Sequence, residues 1–255
     1  MPDLAEYYQF EEVNQPVLKL FRDAKQQGGL SETVLDLGCG RARLGSEIQR
    51  LGYSVTGIEA NNVAIAVARE RIAELVELDL LQYERLSEVF KGRQFDWLLA
   101  SDVLEHLPRP SEALHFYRRL LKPNGRLVVS LPNIALWNVR LGLLLGQFNY
   151  ADSGVMDRTH LQFFTVRTAR ELLKEAGFKI LSTTYDPGIA RVMLPVVKRV
   201  MSGKGSENPG AILDSKSYRL YLDYIYPTET FVCRLVPRLL SFRIVMLARP
   251  ASSAP

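Results

Sequence analysis

The sequence predicts an α/β fold, a doubly wound and mostly parallel sheet of seven strands with helices on both faces. Three stretches of the 255-residue chain predict it. Thr33–Leu51 reads as strand, glycine turn and helix. Tyr53–Glu59 reads as a second strand ending on an acid. Phe95–Ala100 reads as a buried strand followed at once by polar residues. Alternating strand and helix patterns build a parallel sheet with both faces covered. Ligands then bind outside the carboxyl ends of its strands.

Length and composition fit one large domain with a sizeable core. The chain is 47% hydrophobic and 24% charged, as soluble globular proteins are. A net charge of +4 permits an anionic partner. Lys and Arg are nevertheless dispersed, without the basic run of a nucleic-acid tail, so no nucleic acid is expected. Cys39 and Cys233 make neither a disulfide framework nor a metal spacing, and they fit a reducing compartment. The first residues, MPDLAEYYQFEE, are polar and acidic, unlike a secretory signal. No apolar run reaches the ~18 residues of a membrane span. The expected location is the cytoplasm.

Residues 1–32 are expected to form a helical segment ahead of the sheet. Val13, Val17, Leu18, Leu20 and Phe21 recur at helical spacing, and Gly28-Gly29 ends the run. Tyr7 and Tyr8 either close over the ligand site or simply pack.

Val34–Leu37 is the first strand, Gly38-Cys39-Gly40 the turn, and Leu44, Ile48 and Leu51 mark the helix after it. Glycines let a ligand approach the backbone, and free N–H groups at a helix start favour an anionic group. Asp36, just ahead of the first glycine, would repel a pyrophosphate. Position 43 is Arg, not the third glycine of a dinucleotide cradle. A ligand carrying both an amino group and a carboxylate suits this mouth better. Glu59, 19 positions after Gly40, ends the second strand, where a carboxylate accepts from both hydroxyls of a ribose. That supports a nucleoside without saying which.

Asn61 or Asn62 caps a helix over 63–75, a short strand follows over 75–78, and 82–91 is the next helix. After the strand at 95–100, Pro108 and Pro110 break the chain. Ser111 is the expected cap of a helix over 112–121, and Lys122–Gly125 is the expected turn before a fifth strand over 126–131. Trp137, Leu141, Leu144 and Leu145 mark a further apolar helix. Thr168 and Glu171 stand in capping-box register for another, closed by Gly177. Strands at 178–185 and 242–248 complete the sheet. Residues 186–240 form an insertion, in which Ile189–Met201 and Phe231–Leu240 mix apolar and basic residues around the polar loop Ser202–Gly210. The terminal ASSAP is expected to fray.

The pattern Asp36-x-Gly38-x-Gly40 resembles motif I of the class I S-adenosylmethionine-dependent methyltransferases. Ala42 stands where that family carries a third small residue, usually glycine. FDWLLASDVLEHL, from Phe95 to Leu107, resembles the fourth-strand motif of small-molecule methyltransferases, including those of quinone synthesis. LLKPNGRLVVSLPN matches the family as well. Further on, LPN…RLGLLLG…DRTHLQFFT…AGF is similar to methyltransferases of glycan and polysaccharide clusters and to the methionine-biosynthesis protein W family. The likeness covers residues 33–185 well and the rest weakly.

It implies a methyltransferase core over 33–185 with an antiparallel last strand (241–255 with its tail). The N-terminal segment covers the cofactor, and a helical cap is built from 134–165 and 186–240. It implies S-adenosylmethionine held by Asp36, Gly38, Cys39, Gly40, Glu59, Ala60, Asp79, Leu80, Ser101 and Asp102, with Asp79-Leu80 on the adenine. Methyl transfer to a hydroxyl on a sugar, glycan or related small acceptor is the leading expectation. A quinone-like phenol, a carboxylate, an RNA base, or a non-catalytic cofactor-binding subunit are the alternatives.

An oxygen nucleophile must lose a proton. Of three histidines, His106 lies just past the fourth strand and His160 lies in the DRTH stretch, where Asp157 could orient its ring. These three are the candidate catalytic residues, while His115, mid-helix, reads as structural. Ligand spacing supports no metal site. The basic, apolar insertion suits either a lid or weak contact with a membrane surface, and a homodimer is left open.

Overall fold

The computed structural model describes residues 13–26, 32–188 and 221–251. Tyr7, Tyr8, Gly28-Gly29, Ile189–Met201, Ser202–Gly210 and the last four residues of the terminal ASSAP lie outside the described residues. The elements are α1 (Gln15–Gln26), β1 (Thr33–Leu37), α2 (Arg43–Arg50), β2 (Ser54–Glu59), α3 (Asn62–Ala68), β3 (Glu74–Glu77), α4 (Tyr83–Val89), β4 (Phe95–Ser101), α5 (Pro110–Arg118), β5 (Leu121–Pro132), α6 (Trp137–Leu144), α7 (Val166–Glu175), β6 (Phe178–Pro187), α8 (Tyr226–Leu235), α9 (Pro237–Leu240) and β7 (Ser241–Pro250).

The seven strands lie in the order β3-β2-β1-β4-β5-β7-β6. β1 pairs in parallel with both β2 and β4, and β7 runs antiparallel to β5 and β6. The expected doubly wound sheet with an antiparallel last strand is therefore present. Chain order reverses between β1 and β4, so a crevice opens there at the carboxyl edge. β6 and β7 are antiparallel neighbours and need no crossover helix. Gly188 N–H donates to the Leu240 carbonyl at 3.0 Å, closing the base of the excursion between them.

Strand alternation sorts the core onto two faces. Leu98 and Ala100 of β4 join Leu35, Leu37, Leu127 and Val129 beneath α5 and α7. Trp97 and Leu99 point the other way, with Val34, Val55 and Val128, toward α1, α2 and α3. α1 docks through Val17, Leu18 and Phe21. The Phe21 ring lies 4.8 Å from Trp97 and 5.2 Å edge-on to Tyr53, whose hydroxyl donates to the Phe21 carbonyl at 2.9 Å. Buried aromatics of this size contribute about 1.5–3 kcal/mol each.

Several boundaries differ from the sequence reading. α3 stops at Ala68, not 75, because β3 starts at Glu74 to pair with Thr56 of β2. Asn61 is its cap, accepting from the Val63 and Ala64 amides. α5 begins on Pro110, which occupies the first turn, and Ser111 does not cap it. Lys122–Gly125 is no turn: β5 runs through it from Leu121, and the extra residues are absorbed as an irregularity opposite Phe95 and Trp97. The capping box of α7 is Thr165 with Thr168, whose hydroxyl can accept from the Thr165 amide at 2.9 Å. Glu171, one turn on, pairs with Arg167 instead. β6 runs through Pro187, two residues into the expected insertion, and β7 spans 241–250.

Candidate functional site

The turn after β1 is built as the sequence suggested, with one addition. Gly38 and Gly40 have φ of +61° and +56°, and Ala42 also sits in the left-handed region at +55°, fully buried. An alanine there costs roughly 1–2 kcal/mol. Ala42 therefore fills a position that suits glycine conformationally as well as in size. Among the described residues, no side-chain hydrogen bond caps the start of α2. A Cβ on Gly38 would meet Val103 at 3.1 Å and Leu80 at 3.5 Å.

Glu59 closes this turn from β2. One oxygen accepts from the Gly40 amide at 2.8 Å, and the other accepts from the Ala60 and Asn61 amides at 2.9 and 2.8 Å. Charge-assisted bonds to backbone amides hold the carboxylate at the rim, with lone pairs left for hydroxyls. The Cys39 amide donates to the Ile58 carbonyl at 3.0 Å. Its sulfur lies over Gly57, where a Cβ would fall 2.6 Å from Sγ. Gly57 is a site residue the sequence reading missed. A glycine inside the strand pattern VTGIE was the available signal, since such a residue marks a close approach.

Asp36 is 4% exposed, and no hydrogen bond among the described residues supports its carboxyl. Burial, with the nearby Glu59 charge, pushes its pKa up to about 8. It faces α2, where Gly45 leaves the room: a Cβ on Gly45 would stand 3.2 Å from Asp36 Oδ2. Gly45 was also missed, and helical spacing hides it.

A polar chain crosses the floor of the crevice. Asn14 donates to Ser130 at 3.0 Å and to Ser101 at 3.4 Å, and Ser130 donates to Asp102 at 2.6 Å. Arg243 of β7 pairs with Asp102 at 2.8 Å and with the fully buried Asp186 at 3.3 Å, and the Tyr226 hydroxyl of α8 donates to Asp186 at 2.9 Å. The network runs from Asn14, just ahead of α1, to Tyr226 of α8. Asp102 sits in it at a φ of +55°. Asn14 and Arg243 carried no sequence signal, because each lies far along the chain from the motifs.

On the other side of the crevice, Glu105 is 1% exposed, and neither of its carboxyl oxygens has a hydrogen-bond partner among the described residues. Burial, with the neighbouring Asp102, holds its pKa well above the usual carboxylate range. His160 Nε2 lies 3.9 Å from it. His160 Nδ1 lies 3.2 Å from the Val155 carbonyl, which can only accept, so Nδ1 carries the proton and Nε2 presents a lone pair. Burial, then the nearby His106, lowers the His160 pKa. The orienting partner is thus Val155, not Asp157. Asp157 caps its own turn, accepting from the Thr159 amide and hydroxyl at 2.7 and 2.6 Å.

The His106 ring stands 4.9 Å from that of His160. Donor atoms of Glu105, His106 and His160 all lie within 4.8 Å of one another. Three such donors suit a divalent cation, although their spacing in the sequence showed no such cluster. His115 lies exposed on α5, away from the site.

One cavity of about 280 Å³ joins the two sides. Of the expected residues, Asp36, Gly38, Cys39, Gly40, Ser101, Asp102, His106, Asp157 and His160 line it, and Asn14, Arg43, Glu105 and Arg243 join them. Glu59, Ala60, Asp79 and Leu80 lie outside that lining. Leu80 still packs beside Gly38, and exposed Asp79 accepts from the Leu81 amide at 2.8 Å.

Residues 5–183 match the family described as a methyltransferase domain. A ubiquinone biosynthesis O-methyltransferase from Nitrosococcus oceani is 34% identical over 131 residues, 50% of this chain and 54% of that protein. The mitochondrial protein of that name from Schizosaccharomyces pombe is 31% identical over 179 residues, 66% of this chain and 63% of its own. The chain spans about half the length of most curated relatives it matches. Among solved structures, an S-adenosylmethionine-dependent methyltransferase from Archaeoglobus fulgidus superposes with a TM-score of 0.60 at 17% identity, covering 96% of this chain and 98% of that one. Magnesium protoporphyrin IX methyltransferase from Synechocystis, bound to S-adenosylhomocysteine, gives 0.53 at 20% identity over 71% and 85%. At such identities these structures speak for the fold. With the family match, they establish that the chain belongs to the class I S-adenosylmethionine-dependent methyltransferases.

Proposed function

We propose that the chain methylates a hydroxyl of a phenol-type small molecule, with S-adenosylmethionine as donor and His160 as the base. The observation that carries this reading is the His160 ring. Its Nδ1 is committed to the Val155 carbonyl, which leaves the lone pair on Nε2, and the residue lines the cavity. The names of the quinone-pathway relatives favour a phenol over the sugar or glycan expected first. The glycan-cluster and methionine-W likeness has no comparable support.

The residues of the cradle fit the donor. Asp36 is a buried carboxyl in need of a cationic partner, such as an amine. Glu59 stands where ribose hydroxyls would reach it, and Leu80 packs beside Gly38, where a base edge would lie. When bound, S-adenosylmethionine supplies an activated methyl group and a good leaving group. The protein's share is to orient the acceptor and to take its proton. His160 Nε2 accepts that proton from the acceptor oxygen, and the Val155 carbonyl holds the ring in place as it becomes cationic.

The test is a methyl-transfer assay with catechol-type phenols and with sugar acceptors, using native protein and His160→Ala. Turnover of phenols that collapses in the variant supports the reading. Turnover of sugars alone would overturn the acceptor, and unchanged turnover in the variant would overturn the base.

A further inference from the structure

The outer helix of the cap is turned inside out. α8 buries Glu229 and Cys233 and points Phe231, Val232 and Leu235 outward; Phe231 is 65% and Leu235 69% exposed. A helix of a lone protein in water presents the opposite pattern. α6 and the residue after it expose Leu141, Leu143, Leu144 and Leu145, with Leu144 at 82%. α6 meets the short helix α9, which follows α8, where Arg140 Nη2 donates to the Arg238 carbonyl at 3.4 Å. Scattered exposed leucines are ordinary, but runs from adjoining helices form a patch that calls for a covering phase.

Charge identifies that phase. Residues 134–150 contain no acid, and their one cation, Arg140, is exposed. Between 224 and 240 the one acid, Glu229, is buried, while Arg234 and Arg238 are exposed. The outward face therefore carries protruding leucines and phenylalanine among three exposed arginines; the exposed acids Asp152 and Asp223 flank the two stretches along the chain, and Asp152 is paired with Arg158. Apolar side chains that enter the acyl boundary while arginines meet anionic headgroups make such a face bind a lipid surface. No described helix is long and apolar enough to cross a membrane, so contact would be with one leaflet.

We propose that the cap, through α6 and α8, docks on the surface of an anionic lipid bilayer. The patch also leads to the cavity. The Phe148 ring, half exposed, lies 6.3 Å from Phe163, which lies 6.2 Å from His160. Docking would bring this aromatic path to the lipid side. The inference stands apart from the identity of the acceptor.

The experiment is co-sedimentation of the full chain with vesicles of phosphatidylcholine alone and with phosphatidylglycerol added, at low and high salt. Cofactor titration of the same samples monitors folding. Binding should favour the anionic vesicles and weaken with salt. It should fall about tenfold or more in Arg234→Gln/Arg238→Gln and disappear in Leu144→Asp/Leu145→Asp, while cofactor binding persists. Three results would overturn the proposal. One is no vesicle binding by protein that still binds S-adenosylmethionine. Another is binding indifferent to the leucine substitutions. The third is a dimer dissolved by those substitutions, which would assign the patch to a second copy.

Discussion

Gly57 and Cys39 are a matched pair. The thiol of the cradle turn rests on the bare backbone of β2, and any Cβ at 57 would fall 2.6 Å from the sulfur and 2.7 Å from Ile72 Cδ1. Gly57→Ala should therefore push the turn outward. We expect a stability loss of about 1–3 kcal/mol and weaker cofactor binding. Combining it with Cys39→Ala should recover part of both losses, because one of the two clashes is gone. Strict additivity in that double-mutant cycle, read by denaturant unfolding, would contradict the pairing.

Glu59 holds three backbone amides at the same rim. Glu59→Gln keeps the shape but cannot accept from all of them, and Glu59→Ala frees the turn. Calorimetric titration with S-adenosylhomocysteine should show affinity falling in the order native, Gln, Ala, by about tenfold or more for Ala. Equal affinities would remove Glu59 from the site.

Asp36 makes the free protein's stability depend on pH in a defined direction. Its folded pKa, about 8, lies well above the ordinary carboxylate range, so the native state binds more protons between the two. This contribution to stability is fully present below about pH 4 and is lost as pH rises toward 8. Asp36→Asn should flatten that part of the urea midpoint against pH curve. A cationic amine beside Asp36 reverses the preference, so binding of S-adenosylmethionine near pH 7 should release a proton. Titrations in buffers of different ionisation heat measure it, and its persistence in Asp36→Asn would assign it to another group.

His160→Ala should lower kcat by roughly 10²–10⁴-fold, the usual share of a general base, with cofactor affinity unchanged. Treatment with a chelator should leave native activity intact if His160 alone takes the proton. Loss restored by a divalent cation would give the Glu105, His106 and His160 cluster to a metal instead.

Local chemistry was legible in advance. Gly38, Gly40 and Glu59 announce themselves because a strand end, a turn and the next strand end are linked by short connections. His160 and Asp157 stand out as residue types, but their sequence spacing does not show how they relate. Three positions apart in a turn, Asp157 bonds Thr159, while the ring is held by Val155 from behind. Asn14, Glu105 and Arg243 gave less, since nothing in their neighbours says which distant segment they face.

The alternation of buried strands with amphipathic helices determined the sheet, its winding and the edge that carries the site, because these follow from local periodicity and short connections. The tertiary structure alone decided what meets across that edge. β7, inserted between β5 and β6, carries Arg243 to Asp102 and Asp186, and the chain after β5 returns to lay His160 against Glu105. Such contacts depend on how distant segments pack and on which charges share a dry space, and no single stretch of sequence encodes that.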